Sequence, residues 1–371
     1  MPSEVMRPTS NVIKTKETRP RERRLLYAIY IGGILALLVF FVTKSERLME
    51  RLTVGEYSHG DLYRFAQVKR FKAKLPDDVP ARKGQRDPAA CDVLVSGDSF
   101  FEFKYGHAPF PEVLEKEMGR SVYFFSTVNQ PAFANPFNFF KQSGIKADKE
   151  RIFLLEHTER HLVRYFSEPL VPEPSRTVSE DGPLKRWQER WITKTEKNYE
   201  YFFKHSDLTA PFMEVFSTAL FEIFGIISRD TPVYSKKPSF LFFREEVSPL
   251  SQGSFYWPHD DALVKRMADN IEKMKNDLRS IYNVKLVFLP VPNKYTIYSG
   301  LVNDDPYDDF LPRLTAELEK RGVMTVNIYE KYKNSEEILY YPQDSHWNLK
   351  GFSIAMDEAK TVLAKAGLDG R

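Results

Sequence analysis

Two short stretches of this 371-residue chain hold the residue types of nucleophilic catalysis. The first is Ser96-Gly97-Asp98-Ser99-Phe100, which follows an apolar run. A serine at a tight strand-to-helix turn presents its hydroxyl at a sheet edge. Gly97 would permit an unusual turn conformation, and the first amides of a helix are free to face an oxyanion. The second stretch is Tyr341-Pro342-Gln343-Asp344-Ser345-His346-Trp347-Asn348. An Asp two residues before a His can orient its imidazole. A serine nucleophile needs such a base within hydrogen-bond reach, and the base needs an orienting partner. Each stretch also has a plainer reading. Asp98 or Ser99 can be an ordinary turn or helix cap, and Asp344 or Asn348 can cap a last helix beside a packed His346.

Position along the chain favours a meeting of the two. Strands are expected at 91–96, 121–126, 151–156, 285–291 and 323–328. Helices are expected at 111–118, closed by Gly119, and at 136–142. Further helices follow at 260–282, 309–321 (stopped by Gly322) and 351–366. In the 260–282 helix, Leu263, Met267, Ile271, Met274, Leu278 and Ile281 recur at steps of three and four. Alternating strands and helices predict an α/β fold: a mostly parallel five-stranded sheet between two helical layers. Chemistry in such sheets gathers at the carboxyl ends of the strands. The first stretch and three further groups of residues stand just after strands, and the second stretch stands before the last helix.

Together the two stretches resemble the SGNH/GDSL superfamily of serine esterases and acyltransferases. The resemblance implies Ser99 as nucleophile, His346 as general base and Asp344 as its orienter. Other details are similar to the alginate O-acetyltransferase-like branch. Trp347 and Gly351 follow the Asp-x-His element; Glu156-His157-Thr158-Glu159-Arg160 follows the third strand, and Pro292-Asn293-Lys294-Tyr295-Thr296-Ile297-Tyr298 the fourth. The resemblance covers roughly residues 90–165 and 260–365, with 167–255 as a partly helical insertion of no named counterpart. In that branch Asp-x-His-Trp precedes the serine element; here the serine comes first. The usual oxyanion glycine and asparagine are replaced by Ser126-Thr127-Val128-Asn129 and by Glu156 and Arg160. The remaining donors to an oxyanion are the Ser99 amide with Asn129 or Arg160. Glu156, Glu159 and Arg160 form either part of the site or a buried ion-pair network. Lys294 and Tyr298 either bind an anionic sugar or an acyl carbonyl, or form a salt bridge and a packed ring. The Phe-rich stretch 131–140 is either core or a carbohydrate platform.

The N-terminal part sets the location. Residues 1–24 carry seven basic and three acidic side chains, a net +4 within a whole-chain +3. The 19 uncharged residues 25–43 follow, long enough as a helix to span about 28 Å of bilayer. No small-x-small cleavage site follows; Lys44-Ser45-Glu46-Arg47 does. The expectation is a basic cytoplasmic tail (1–24) and an uncleaved membrane helix (25–43). A membrane-proximal linker (44–90) and a catalytic domain (91–371) on the periplasmic side of the inner membrane complete it. The near-neutral remainder argues against a nucleic-acid partner. The single Cys91 excludes an intramolecular disulfide and any multi-cysteine metal site. His107, His157, His161, His205 and His259 show no ligand spacing, so neither metal nor cofactor is expected. The reading is an O-acyltransferase, with acetyl as the expected group, acting on a cell-surface polysaccharide. The resemblance implies a membrane acyltransferase partner that delivers the acetyl group. The rivals are a carbohydrate O-acetyl esterase and a non-catalytic glycan-binding scaffold.

Overall fold

The computed structural model describes residues 20–44, 58–80, 86–103, 105–171, 202, 206 and 209–368. The chain divides into two units, residues 1–54 with 181–209 and residues 55–180 with 210–371. In the first, α1 (Pro20–Lys44) contains the uncharged run. Its stretch Arg23–Thr43 has a mean hydropathy of 2.6 and is long and apolar enough to cross a membrane. The apolar window within that stretch has no buried residue.

The second unit holds the sheet. Its strands are β1 (Val93–Gly97), β2 (Val122–Ser126), β3 (Arg151–Thr158), β6 (Val284–Val291) and β7 (Met324–Thr325), in the order β2-β1-β3-β6-β7. All neighbours run parallel, as expected. The register pairs Val93 with both Val122 and Ile152, and Thr158 with Val291. The carboxyl ends of β1, β3 and β6 therefore lie along one edge, and short helices leave them there. These are α3 (Ser99–Glu102), α6 (Glu159–Phe166) and α10 (Lys294–Tyr298).

The flanking helices are α4 (Phe110–Met118), α5 (Pro136–Ser143), α9 (Asp261–Tyr282), α11 (Phe310–Lys320) and α13 (Leu349–Leu363). Gly119 closes α4 in the left-handed region at φ 62°. The stripe of α9 is buried from Leu263 to Leu278, but Ile281 lies outside it, 52% exposed. The last strand is shorter than expected. β7 pairs with β6 over Val287 and Phe288 only. Asn327 Oδ1 then accepts the Tyr329 amide at the start of α12 (Tyr329–Lys333), which ends the strand direction.

The stretch read as a partly helical insertion carries α7 (Ala210–Phe224), α8 (Arg244–Val247) and an antiparallel hairpin, β4 (Val233–Lys236) with β5 (Ser239–Phe242). The hairpin escaped sequence reading because both of its faces are covered. Leu241 packs with Leu62, Phe71 and Phe221, while Phe240 and Phe242 pack with Val247, Phe255 and Tyr295. With apolar side chains on both faces, no alternation marks the strand. The stretch read as a linker is likewise built into the unit. Leu62, Tyr63 and Ala66 of α2 (Asp61–Ala66) are buried, as are Val68, Phe71 and Leu75 after it. Residues 45–57 lie outside the described residues.

Candidate active site

Ser99 is the first residue of α3, at the carboxyl end of β1. Asp98 caps that helix, its Oδ1 accepting the Phe100 amide at 2.9 Å. His346 Nε2 lies 2.8 Å from Ser99 Oγ. The other ring nitrogen, Nδ1, lies 2.6 Å from Asp344 Oδ1, which also accepts the His346 amide at 2.9 Å. The imidazole sits between two rings: Phe103 stacks on it at 4.4 Å and Phe100 meets it at 4.9 Å. Phe100 also packs edge-on against the buried Trp347 at 4.9 Å. The aromatic residues of the two motifs thus pin them to each other. Burial alone would lower the His346 pKa, but the charge and hydrogen bond of Asp344, with Asp61 and Asp98 behind, raise it above 6.5. Asp344 is pushed up by burial and pulled down further by His346, so it stays ionised.

Gly97 is required for space, not for an unusual turn. Its φ is not positive, and a Cβ there would lie 2.7 Å from Glu156 Oε2 and from the Phe101 ring. Glu156 is fully buried and accepts the Asp98 amide at 2.8 Å. Burial, with the charge of Asp98, raises its pKa well above the usual range. It supports the turn from below and does not line the cavity over Ser99. Asp98 keeps its charge: burial raises its pKa, but His161, Arg160 and the Phe100 amide more than offset this. The Thr158 hydroxyl donates to Asp98 Oδ2 at 3.2 Å, and His161 Nδ1 lies 3.1 Å from that hydroxyl.

Two elements hold the loop that carries Asp344 and His346. Lys294 is fully buried, and its ammonium donates to the carbonyls of Tyr341 and Pro342 at 2.8 Å and of Asp344 at 3.0 Å. All three of its protons are thereby used. Burial lowers its pKa to about 7, against the charges of Glu246, Asp344 and Asp61. The Tyr298 hydroxyl accepts the Leu339 amide at 2.7 Å. Neither residue lines the cavity: Tyr298 is the packed ring of the second reading, against Phe240 and Tyr340, and Lys294 supports the loop through its carbonyls. The second element is α2. Asp61 donates its amide to Asp344 Oδ2 at 2.8 Å, and its carboxylate accepts the Ser345 amide at 2.8 Å and the Ser345 hydroxyl at 2.5 Å. Gly60 makes this approach possible at φ 92°, where a Cβ would lie 2.3 Å from the Gln343 carbonyl oxygen.

A cavity of about 630 Å³ opens over Ser99 and His346. Arg160 and His161 line it, as do Phe65 and Phe243, whose rings stack at 6.0 Å. Arg160 pairs with Glu246 at 3.4 Å, whereas Glu159 bonds the Asn293 amide, Thr296 and Tyr307. The anticipated network is therefore split, and only Arg160 reaches the cavity. Asn129 is exposed, does not line the cavity, and donates its side-chain amide to Glu102 Oε1 at 2.7 Å, which removes it as the oxyanion donor. Phe137, Phe139 and Phe140 of the Phe-rich stretch are core.

Residues 233–370 match the family model ALGX, described as SGNH hydrolase-like domain, acetyltransferase AlgX. This part of the chain is similar to the SGNH hydrolase-like domain of that family. The matched part contains Lys294, Tyr298, Asp344 and His346 and begins within the stretch read as an insertion; Ser99 and β1 to β3 precede it. Neither a curated protein nor a solved structure matches the chain.

Within this site, Asp61, Asp344 and His346 bring one ligand atom each within 4.8 Å of one another. Their lone pairs are directed instead at protein donors: Asp344 Oδ1 at His346, and the Asp61 carboxylate at Ser345. Asp61 escaped sequence reading because no motif surrounds it. The one available signal was a Gly-Asp pair, Gly60-Asp61, ahead of an amphipathic stretch.

Proposed function

We propose that this chain is a membrane-anchored O-acyltransferase that acetylates an extracytoplasmic polysaccharide through an acyl-enzyme on Ser99. The observation that carries the reading is the continuous line from Ser99 Oγ through His346 to Asp344, at 2.8 and 2.6 Å, on the floor of an open cavity. The description of the matched family as an acetyltransferase supports it.

Ser99 Oγ attacks the carbonyl carbon of an acyl ester while its proton passes to His346 Nε2. The Ser99 amide, at the first position of α3, faces the oxyanion, and Arg160 on the cavity wall supplies positive charge. His346 returns the proton to the leaving oxygen. A sugar hydroxyl then gives its proton to His346 and attacks the acyl carbon, and Ser99 leaves with that proton. The stacked Phe65 and Phe243 rings offer an apolar face to the acceptor sugar, and Arg160 and His161 offer donors to its hydroxyls. The basic tail before the apolar run supports a cytoplasmic N-terminus and a domain outside the cytoplasm. The acetyl donor is then delivered across the membrane by a partner acyltransferase.

The test uses the full chain in detergent with an activated acetyl ester and oligosaccharides of several uronic and neutral sugars. Acetyl mass on Ser99, absent in Ser99→Ala, followed by acetyl mass on a sugar, is expected. Loss of acetyl from acetylated sugars without any gain would make the protein an esterase. No adduct on Ser99 would leave only the scaffold reading.

A further inference from the structure

α7 presents the wrong face to water. Its inward stripe is Glu214, Thr218 and Phe221, at steps of four and three. Glu214 accepts hydrogen bonds from the Tyr63 hydroxyl and the Lys72 ammonium, both at 2.5 Å. Thr218 Oγ1 accepts the Lys69 amide at 2.9 Å, and Phe221 is buried against Phe71. The outward stripe is Phe212, Val215, Phe216, Ala219 and Ile223. Phe212 is 77% exposed, Val215 71% and Ile223 70%. A surface helix of a water-soluble domain has the reverse arrangement, and an exposed apolar stripe on this scale marks a binding face.

Two observations identify what covers it. Exposed cations lie on the segments bonded to the helix and its neighbour, with the exposed Glu222 on the helix itself. Lys69, Arg70 and Lys72 lie on the segment bonded to its inward stripe, and Arg70 bonds the Lys236 carbonyl, next to exposed Lys236 and Lys237. An apolar stripe with a basic margin fits the headgroup and acyl boundary of an anionic bilayer. The chain also tethers this domain to a bilayer. Residues 45–59 join α1 to Gly60, and at about 3.5 Å per residue they reach no further than roughly 50 Å.

We propose that α7 is an interfacial helix. Its Phe212–Ile223 stripe enters the leaflet facing the domain, and Lys69, Arg70, Lys236 and Lys237 meet anionic headgroups. The proposal rests on the reading of α1 as a membrane anchor. It gives the anchored domain a fixed attitude, because one segment joins the helix to the site. Residues 61–72 hold Glu214 and Thr218 at one end and, through Asp61, Asp344 and Ser345 at the other. The membrane seat thereby fixes the direction in which the cavity opens.

The test places an environment-sensitive bimane label on the full chain, in a Cys91→Ser background, at Phe216→Cys, Leu250→Cys or Leu35→Cys. The chains are reconstituted in phosphatidylethanolamine and phosphatidylglycerol vesicles containing lipids brominated at defined acyl depths. The label at 216 should be quenched by shallow bromines, roughly twofold or more, and the label at 35 by deep ones. The label at 250, itself on a 91% exposed side chain, should be unaffected. A label at 216 as unquenched as that at 250, with the label at 35 quenched, overturns the proposal and leaves the anchor standing; cross-linking from 216 to another protein in native membranes would then assign the stripe to a protein partner. A label at 216 quenched while that at 35 is not would establish the seat and remove the anchor. No quenching at either position overturns both.

Discussion

Replacing Asp61 tests whether the segment ahead of the sheet is part of the active site. In Asp61→Ala the backbone bond to Asp344 Oδ2 survives, but the carboxylate that accepts the Ser345 amide and hydroxyl is lost. Each donor left unsatisfied costs about 1–3 kcal/mol. Ser345 is buried but Asp61 is partly exposed, and water can replace part of the loss. The expected destabilisation is therefore about 2–3 kcal/mol. Ser345 lies between Asp344 and His346, so relaxation of its backbone moves the imbalance straight to the imidazole. A displacement on the order of 1 Å lowers kcat by about 100-fold. The charge has a separate effect. Asp61 is one of the groups that raise the His346 pKa, so its loss lowers that pKa, and the acid limb of the rate profile moves to lower pH. Asp61→Asn keeps an acceptor for the Ser345 amide while removing the charge. It should show the pH displacement with less loss of stability and kcat. Thermal unfolding and pH profiles of acetyl-ester turnover on the two variants separate the effects. If Asp61→Ala keeps kcat within about twofold and an unmoved acid limb, the segment does not position His346 and the reasoning fails.

His346 must be neutral to accept the Ser99 proton, so turnover should rise with pH through an apparent pKa above 6.5. Asp344→Asn, which removes the main raising influence, should shift that limb to lower pH as it lowers the rate; a limb that stays put would mean another group governs it. Lys294→Met leaves three carbonyls without their donor but also removes the cost of a buried ammonium. It should cost about 1–3 kcal/mol and lower kcat at unchanged KM, which steady-state kinetics and thermal melts would show; a raised KM alone would restore Lys294 to substrate binding. Phe65→Ala should reduce sugar acetylation more than hydrolysis of an activated acetyl ester, whereas Arg160→Ala, which also removes positive charge from the oxyanion, should reduce both, read by mass spectrometry and ester assay on one sample. Equal loss in both assays for Phe65→Ala would deny that ring an acceptor role. A reporter that functions only outside the cytoplasm, fused after residue 371, should be active; activity of a cytoplasmic reporter there would reverse the topology.

What the chain announces in its residues, and what it hides, follows the range of the interactions concerned. Ser99, Asp344 and His346 were legible because each sits in a local pattern: a serine after an apolar strand, an Asp two places before a His. The parallel sheet was legible from its alternation of strands and helices, and that alternation is why two motifs 247 positions apart meet. Lys294 and Tyr298 were recognised as polar residues after a strand, but residue type says nothing of direction. Both turn towards the backbone of residues 339–344, where a fixed cation and a phenol hold carbonyls and an amide. Asn129 and Glu156 follow the same rule: one bonds Glu102, and the other, read either as site or as buried network, lies beneath the turn.

Asp61 was hidden because its partner Asp344 lies 283 residues away and its carboxylate acts through Ser345, a residue with no chemistry of its own in the motif. α7 misleads in another way. Its apolar residues are periodic, and periodicity alone would turn them inward. Pairing decides otherwise: Glu214 accepts from a phenol and an ammonium, and Thr218 from a backbone amide, all supplied by residues 63–72. Those donors fix which side of the helix faces the protein, and Phe212 and Phe216 are left on the other side. The segment 61–72 that turns the apolar stripe outward also delivers Asp61 to the base. A chain tethered just upstream of that segment can therefore hold its site intact and its apolar face on the membrane with one piece of backbone. Lengthening 45–59 should leave both undisturbed, whereas breaking the Glu214 contacts should disturb both.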